Sequence, residues 1–391
     1  MQTPASDLNR WIPRLLGCWR AVRRPRGGRP LPDRLAPDEL REVAGAVERL
    51  SRGLTRERKM VGARYLEDEK LLGAYLLFYW PISYLQARSV LGELPRPPRS
   101  VLDLGCGPGP MTFAALDHGA EEALSADRSA RALATVRTLA NETRLHVAAR
   151  DWNPTKQRPL SELAGGRRFE VVILGHLLNE LFQGGDEVAR RAALLEEAAG
   201  LLAPGGSLLV IEPALRDTSR ALLQVRDLLV ARGVAVRSPC LFRGACPALV
   251  RETDWCHAER PIDPPLLVAE IGAAAGLRKE AIKMSTLVLA PPGELWAEPP
   301  PLEPGGRLFR IVSEPLAGKG RLRYMGCGPE GRMGLSLQEK HVAPENQRFE
   351  ALARGDVVQV IGTEPRGDGI RLGEGSAVKL VAEAGRPVPR G

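Results

Sequence analysis

The sequence has no apolar run of the roughly 18–20 residues needed to cross a bilayer. Its first residues also lack the unbroken apolar stretch, followed by small residues, of a secretory signal. These absences predict a soluble intracellular protein with no membrane partner. Cysteine is scarce: six in 391 residues, scattered along the chain, are too few for a secreted disulfide framework. A reducing compartment would keep them as thiols. No internal repeat is present.

What is there is globular in composition, 44% hydrophobic and 26% charged, and long enough for two or three domains. The formal charge is +8, and the first thirty residues carry Arg10, Arg14, Arg20, Arg23, Arg24, Arg26 and Arg29 against a single acid, Asp7. A basic arm favours polyanions such as RNA through phosphate contacts and counterion release. The same arm is compatible with an organelle transit peptide, and with arginine being simply the chain's surface cation.

The pattern divides the chain into a basic arm (1–35), a helical region (36–95), an α/β domain (96–292), a proline-rich linker (293–306) and a small β-barrel-like domain (307–391). The helical region holds Tyr65, Tyr75, Tyr79 and Tyr84, which are either core or a lid over a ligand. Strands are expected at 100–105, 122–127, 144–149, 169–175 and 207–213 with helices between them, which implies a parallel sheet covered on both faces. A helix near 264–276 and a strand pair, "RKEAIKM" and "TLVLAP", follow. Beyond the linker, short strands with Gly-rich turns read as a barrel or meander.

"VLDLGCGPGP" follows the first of these strands and precedes a helix. Gly105, Gly107 and Gly109 permit a tight turn and let backbone N–H groups approach a ligand, while Asp103 accepts bonds at the strand end. Asp127 ends the second strand, where an acid binds both hydroxyls of a ribose. Asp151 follows the third, where it can meet an adenine amine beside Trp152. Acids at successive strand ends converge on the crevice where open α/β sheets bind ligands.

"DLGCGPG", the acid of "SADRS", "RDW" and "APGGSLLVIEP" resemble the motifs of class I S-adenosylmethionine-dependent methyltransferases. The resemblance implies a Rossmann-like sheet and S-adenosylmethionine as the ligand. A nicotinamide enzyme would more usually show G-x-G-x-x-G, where this loop continues with Pro110 and Met111. Acceptor-side residues should follow the fourth strand, in "ILGHLLNELF", where His176, Asn179 and Glu180 are the polar candidates. No Asn-Pro-Pro-Tyr motif of adenine amino-methylation and no cysteine of base C5 methylation stands there, so none of the three is assigned a catalytic role. Cys106, inside the loop, reads as packing.

Half of the cysteines fall in one turn-rich stretch, "SPCLFRGACPALVRETDWCHAER", within an insertion at 234–262. Cys240-x5-Cys246-x9-Cys256 lacks the C-x2-C knuckles of a familiar zinc site, so a loop-held metal site is expected. Cys327 is the candidate fourth thiolate, and His257 the alternative donor if the metal is zinc. Buried unliganded thiols are the bland reading.

This segment, with "YLLFYWPISY", "GHLLNELF", "DWCH" and "MGCGPEGR", resembles the mitochondrial methyltransferase-like family of small-ribosomal-subunit assembly factors and its bacterial relatives, from about Arg64 to Val360. That resemblance implies a four-iron, four-sulfur cluster on Cys240, Cys246, Cys256 and Cys327, with small-subunit rRNA and the ribosome as partners. It leaves open whether a methyl group is transferred. The functions to separate are a binding factor that transfers nothing, an active rRNA methyltransferase, a zinc-stabilised methyltransferase of another acceptor, and a redox sensor. The composition fits a bacterial cytoplasm, or a mitochondrion if the host is eukaryotic. Oligomeric state is not encoded in any of these motifs.

Overall fold

The structure is a computed structural model that describes residues 4–21, 33–154 and 158–389. Of the basic arm, Arg23, Arg24, Arg26 and Arg29 lie outside the described residues. The chain divides into two compact units. One comprises Met1–Leu91, Arg96–Glu212 and Pro261–Ile282; the other comprises Gly92–Pro95, Pro213–Arg260 and Lys283–Gly391.

The first unit opens with helices α1 (Pro4–Asn9) and α2 (Ile12–Ala21), where the sequence had suggested only an arm. The reason is a helical apolar stripe that the arginine count hides: Leu8, Trp11, Ile12, Leu15, Leu16 and Trp19 are all buried. Polar anchors fix it, with Trp11 Nε1 donating to Asp117 at 2.7 Å and Arg88 pairing with buried Asp7 at 2.7 Å. Helix α3 (Pro37–Leu54) starts with proline at its first position, and Glu39 reaches back to the Ala36 N–H at 2.9 Å. Helix α4 (Glu69–Ala74) is capped by Asp68, which accepts from the N–H groups of Lys70 and Leu71. It passes through a π-helical turn, Tyr75–Tyr79, into the buried α5 (Trp80–Leu91).

The α/β elements follow as β1 (Ser100–Leu104), α6 (Pro110–Asp117), β2 (Glu122–Asp127), α7 (Ala130–Thr143), β3 (His146–Asp151), α8 (Leu160–Ala164), β4 (Phe169–Gly175), α9 (Glu187–Ala199) and β5 (Leu202–Pro213). The strands run parallel in the order β3-β2-β1-β4-β5. This is a Rossmann-like α/β arrangement whose strand order turns back between β1 and β4. A ligand crevice is expected outside the carboxyl ends of those two strands. Strand β3 begins two residues later than its pattern suggests, because Arg144 terminates α7 in the left-handed region at φ 57°.

The second unit contributes α10 (Arg216–Ala231), β6 (Val236–Ser238) and β7 (Ala258–Pro261). The chain then forms α11 (Leu266–Ala274), which packs in the first unit, before β8 (Ala281–Leu289). Where two strands were expected, β8 is one, since nothing between Met284 and Thr286 breaks an extended chain. It pairs antiparallel with β6. The remaining strands are β9 (Arg307–Ile311), β10 (Leu316–Gly318), β11 (Arg321–Gly328), β12 (Gly331–Gln338), β13 (Val357–Arg366) and β14 (Gly369–Ala382). They form a second β sheet, β10-β11-β12-β14-β13-β9, that closes because β9 also pairs with β11. Alternating inward residues, among them Phe309, Tyr324, Leu335, Val358 and Leu372, fill its core. Among the described residues, no helix is long and apolar enough to cross a membrane.

Candidate functional site

The loop after β1 is held to β2 by its backbone, with the N–H groups of Gly105 and Cys106 both donating to Ala126 O at 2.8 and 3.0 Å. Gly105 lies at φ +71°, and a side chain there would meet Leu177 at 2.8 Å. Only glycine satisfies both conditions. The next turn brings the Gly107 N–H to Asp127 Oδ2 at 2.8 Å, while Asp127 Oδ1 accepts from the Ser129 N–H at 2.7 Å. Burial holds the Asp127 carboxyl above its usual range against these bonds. With a further backbone bond from Arg128, the carboxylate still has a lone pair left for a ligand.

Gly105, Gly107, Asp127, Trp152, His176 and Glu180 line one crevice at the ends of β1 and β4. Tyr65 and Tyr75 from the helical region complete its wall. Tyr84 is core instead, stacked on Trp80 at 5.5 Å and donating to Asp117 at 2.6 Å. Asp103, Gly109 and Asp151 do not line the crevice. Asp103 lies buried beneath it, accepts from the Thr112 hydroxyl at 2.7 Å, and is pushed up to about 7 by burial. Gly109 caps α6 at φ 83°, and Asp151 is exposed at the end of β3.

The three acceptor-side candidates differ in environment. Glu180 accepts from the Tyr65 hydroxyl at 3.2 Å, and burial raises its carboxyl to about 7. His176 sits at φ 56° with Nε2 bonded to Gln86 Oε1 at 2.8 Å, and burial lowers its imidazole to about 4. It is therefore neutral at pH 7 and a feeble base. Asn179 is occupied on both sides, accepting from Arg58 at 3.3 Å and donating to His176 O at 3.1 Å. Sequence reasoning did not single out Glu212, the buried carboxylate at the end of β5. It accepts from the N–H groups of Leu178 and Asn179 at 2.9 and 3.1 Å and so fixes the turn carrying Glu180. The signal was available, since an acid ends β5 as acids end β2 and β3.

In the second unit Cys240, Cys246, Cys256 and Cys327 line a single cavity. Helix α10 supports the loop that brings three of them there. Arg226 donates to the carbonyls of Phe242 and Gly244, Asp227 accepts the Cys246 N–H at 2.8 Å, and Arg220 reaches four carbonyls between Ala248 and Asp254. Cys327 comes from β11. Burial, then the neighbouring thiols, push Cys327 up to about 12. Burial is likewise the main cause that raises Cys246 to about 12, Cys256 to about 11, and Cys240. All six cysteines are free thiols.

Among the described residues, no group of three or more His, Cys, Asp or Glu side chains is gathered around one point as a single ion requires. The zinc alternative has a further obstacle. His257 Nε2 lies 3.1 Å from Arg354 Nη1, which can only donate, so that lone pair is already engaged. The cavity nevertheless carries an unmet demand: Nε of Arg260, Arg310 and Arg332 and Nδ1 of His257 are buried there without a hydrogen-bond partner among the described residues. Each such group costs about 1–3 kcal/mol, so several in one place call for an acceptor.

Residues 73–264 match the family model described as the mitochondrial small ribosomal subunit protein Rsm22. No curated protein matches the chain. Among solved structures, it is similar to an O-methyltransferase family protein from Burkholderia thailandensis, with 18% identity over 66% of this chain and 74% of that one and a TM-score of 0.38. A methyltransferase from Pyrococcus furiosus matches with 13% identity over 53% and 81% of the two chains and a TM-score of 0.35. Magnesium protoporphyrin IX methyltransferase from Synechocystis, solved with bound SAM, matches with 10% identity over 63% and 96% and a TM-score of 0.34.

Proposed function

From the match of residues 73–264 to the Rsm22 family model, we propose that this chain is a methyltransferase-like factor acting on the small ribosomal subunit. It binds S-adenosylmethionine in the first unit and rRNA as its macromolecular partner. The observation that carries the reading is the crevice at the ends of β1 and β4, with Gly105, Gly107, Asp127 and Trp152 on its wall. When bound, S-adenosylmethionine supplies an electrophilic methyl group. On this chain's side, the free lone pair of Asp127 would accept a ribose hydroxyl, Trp152 would flank the adenine, and the glycine loop would leave room for the rest.

The cavity of the second unit is proposed to hold a four-iron, four-sulfur cluster on Cys240, Cys246, Cys256 and Cys327. Four thiols on one cavity and its unpartnered guanidinium and imidazole nitrogens suit an anionic resident. These four residues would hold the cluster through their thiolates. Its iron would supply an all-thiolate link between the loop and β11.

Calorimetric titration with S-adenosylhomocysteine, and co-sedimentation of the full chain with small subunits, test the main reading. Affinity for both is expected; failure to bind either ends it. Anaerobic purification tests the cluster. A brown protein with about four irons, depleted in Cys327→Ser, is expected, whereas colourless protein with one zinc would reassign the site.

One observation favours a second reading, an active rRNA methyltransferase. Glu180 faces the crevice with its carboxyl poised near 7, where a general base is most effective. Tritium transfer into rRNA from a strain lacking the gene, lost in Glu180→Gln, would support it. Identical modification with and without the gene would reject it.

A further inference from the structure

The closed sheet of the second unit has a specific connectivity. Setting aside the short β10, strand β9 pairs antiparallel with both β11 and β13, β11 with β12, β13 with β14, and β12 runs parallel to β14. Numbered along the chain this is a five-stranded ring in the order 1-2-3-5-4-1, the arrangement of the OB-fold. A 3-10 turn between the third and fourth strands, Gln347–Ala351, plugs the core with Phe349. Barrels of this kind present the face of their second and third strands to oligonucleotides. A fold alone assigns no ligand, so the residues on that face must carry the inference.

Here those strands are β11 and β12, which together hold Arg321, Arg323 and Arg332 and no aspartate or glutamate. Register sets the outward positions. Tyr324 and Leu335 point into the core, so Arg321, Arg323 and Met325 face out beside Ser336 and Gly334. Among the described residues, the side chains of Arg321 and Arg323 have no hydrogen-bond or ion-pair partner. A Cβ built on Gly334 meets nothing within 4 Å, so there is space beside Met325, while Ser336, opposite Arg323, is buried. At the far end Arg332 is tethered to Asp254 at 3.0 Å, and the next residue, Trp255, is 38% exposed and stacked on His257 at 6.0 Å. From Arg321 to Met325, before Cys327 turns to the cavity wall, the strand spans roughly 13 Å at about 3.3 Å per residue. That is room for a few nucleotides, with cations at one end and an exposed indole at the other.

We propose that the outer face of β11 and β12 is a docking surface for single-stranded RNA, with Arg321 and Arg323 on phosphates and Trp255 offering a stacking plane. The inference rests on the reading of the chain as an rRNA-associated factor and names the surface that would make the contact.

The test uses full-length protein and fluorescence anisotropy with a labelled oligouridylate of about twelve nucleotides, a duplex RNA of the same length, and poly-glutamate. Two variants are compared with wild type: Arg321→Ala/Arg323→Ala and Gly334→Glu. The second places an acid where there is space for it. Retained binding of S-adenosylhomocysteine and an unchanged melting profile show that each is folded. The expected result is preference for the single strand, a loss of about tenfold or more in both variants, and a salt slope shallower by about 1.4 in the double alanine variant, at about 0.7 per phosphate contact. Small-subunit binding is measured in parallel. Wild type and variants binding the subunit and the oligonucleotide equally would overturn this surface and leave the proposed function standing. Wild type binding no rRNA would remove both. Equal affinity for duplex, or binding of poly-glutamate in place of RNA, would also overturn it, the latter by reassigning the face to an acidic protein.

Discussion

The backbone N–H of Gly107 donates to the carboxylate of Asp127 across 2.8 Å, joining the loop after β1 to the end of β2 inside the crevice wall. One acid thus shapes the loop and presents a lone pair to whatever binds there. Asp127→Ala should remove both roles. We expect S-adenosylhomocysteine affinity to fall at least tenfold by calorimetry, with a loss of about 1–3 kcal/mol in unfolding free energy from the freed Gly107 and Ser129 N–H groups.

Gly105→Ala tests the loop by shape alone. The left-handed conformation costs a non-glycine residue roughly 1–2 kcal/mol, and the new methyl meets Leu177 at 2.8 Å. The expected outcome is a lower melting temperature and weakened ligand binding, since Leu177 also lines the crevice. A variant as stable as wild type would show that the loop yields freely.

Asp103, Glu180 and Glu212 are each raised by burial to about 7. Their unfolded values lie near 4.5 or below, so the folded state holds extra protons between those limits. The stability they contribute is full below the unfolded values and is lost as pH rises through 7. His176 and His257, lowered to about 4, act in the opposite sense. Their contribution is present above 6.5 and lost as pH falls toward 4. Between pH 6.5 and 8 the carboxyls dominate. Thermal unfolding of ligand-free protein should therefore show stability falling over that interval, less steeply in Glu212→Gln. An unchanged slope in the variant would exclude Glu212 as a contributor.

Arg226 is 1% exposed, paired with Asp227 at 2.7 Å, and bonded to two carbonyls of the loop between Cys240 and Cys246. Removing one partner of a buried pair costs about 3–5 kcal/mol. Arg226→Ala should lower the denaturation midpoint by a corresponding amount and loosen the loop, read as faster alkylation of Cys240 and Cys246 by a thiol reagent. Arg226→Lys should rescue little, because an ammonium cannot span the carbonyls as a guanidinium does.

Much of the α/β unit is legible in the sequence because its strands are short, apolar and bounded by Gly and Asp, as in "VLDLGCGPG". The crevice residues Gly105, Gly107, Asp127 and Trp152 follow from strand ends alone, since topology brings those ends together. Glu212 is visible in the sequence as an acid near the end of β5, but its partners, the N–H groups of Leu178 and Asn179, become visible only once β5 lies beside that turn. Asp151 shows the converse: a strand-end acid whose neighbour, Trp152, lines the crevice while it remains in solvent. Charge misled at the N-terminus, where the arginines of the first thirty residues draw attention from the apolar stripe that buries α1 and α2. The closure of the C-terminal sheet depends on β9 pairing twice, a long-range fact with no local signature.

The four thiols of the second unit's cavity are not made together. Cys327 follows Cys256 by about seventy residues in the chain, and at synthesis rates of about 5–20 residues per second the first three wait roughly 4–14 s for the fourth. During that interval they belong to a nascent segment whose fourth wall does not yet exist, open to oxidation and to stray metal. Any ligand held by all four thiols can therefore be bound only after β11 has emerged.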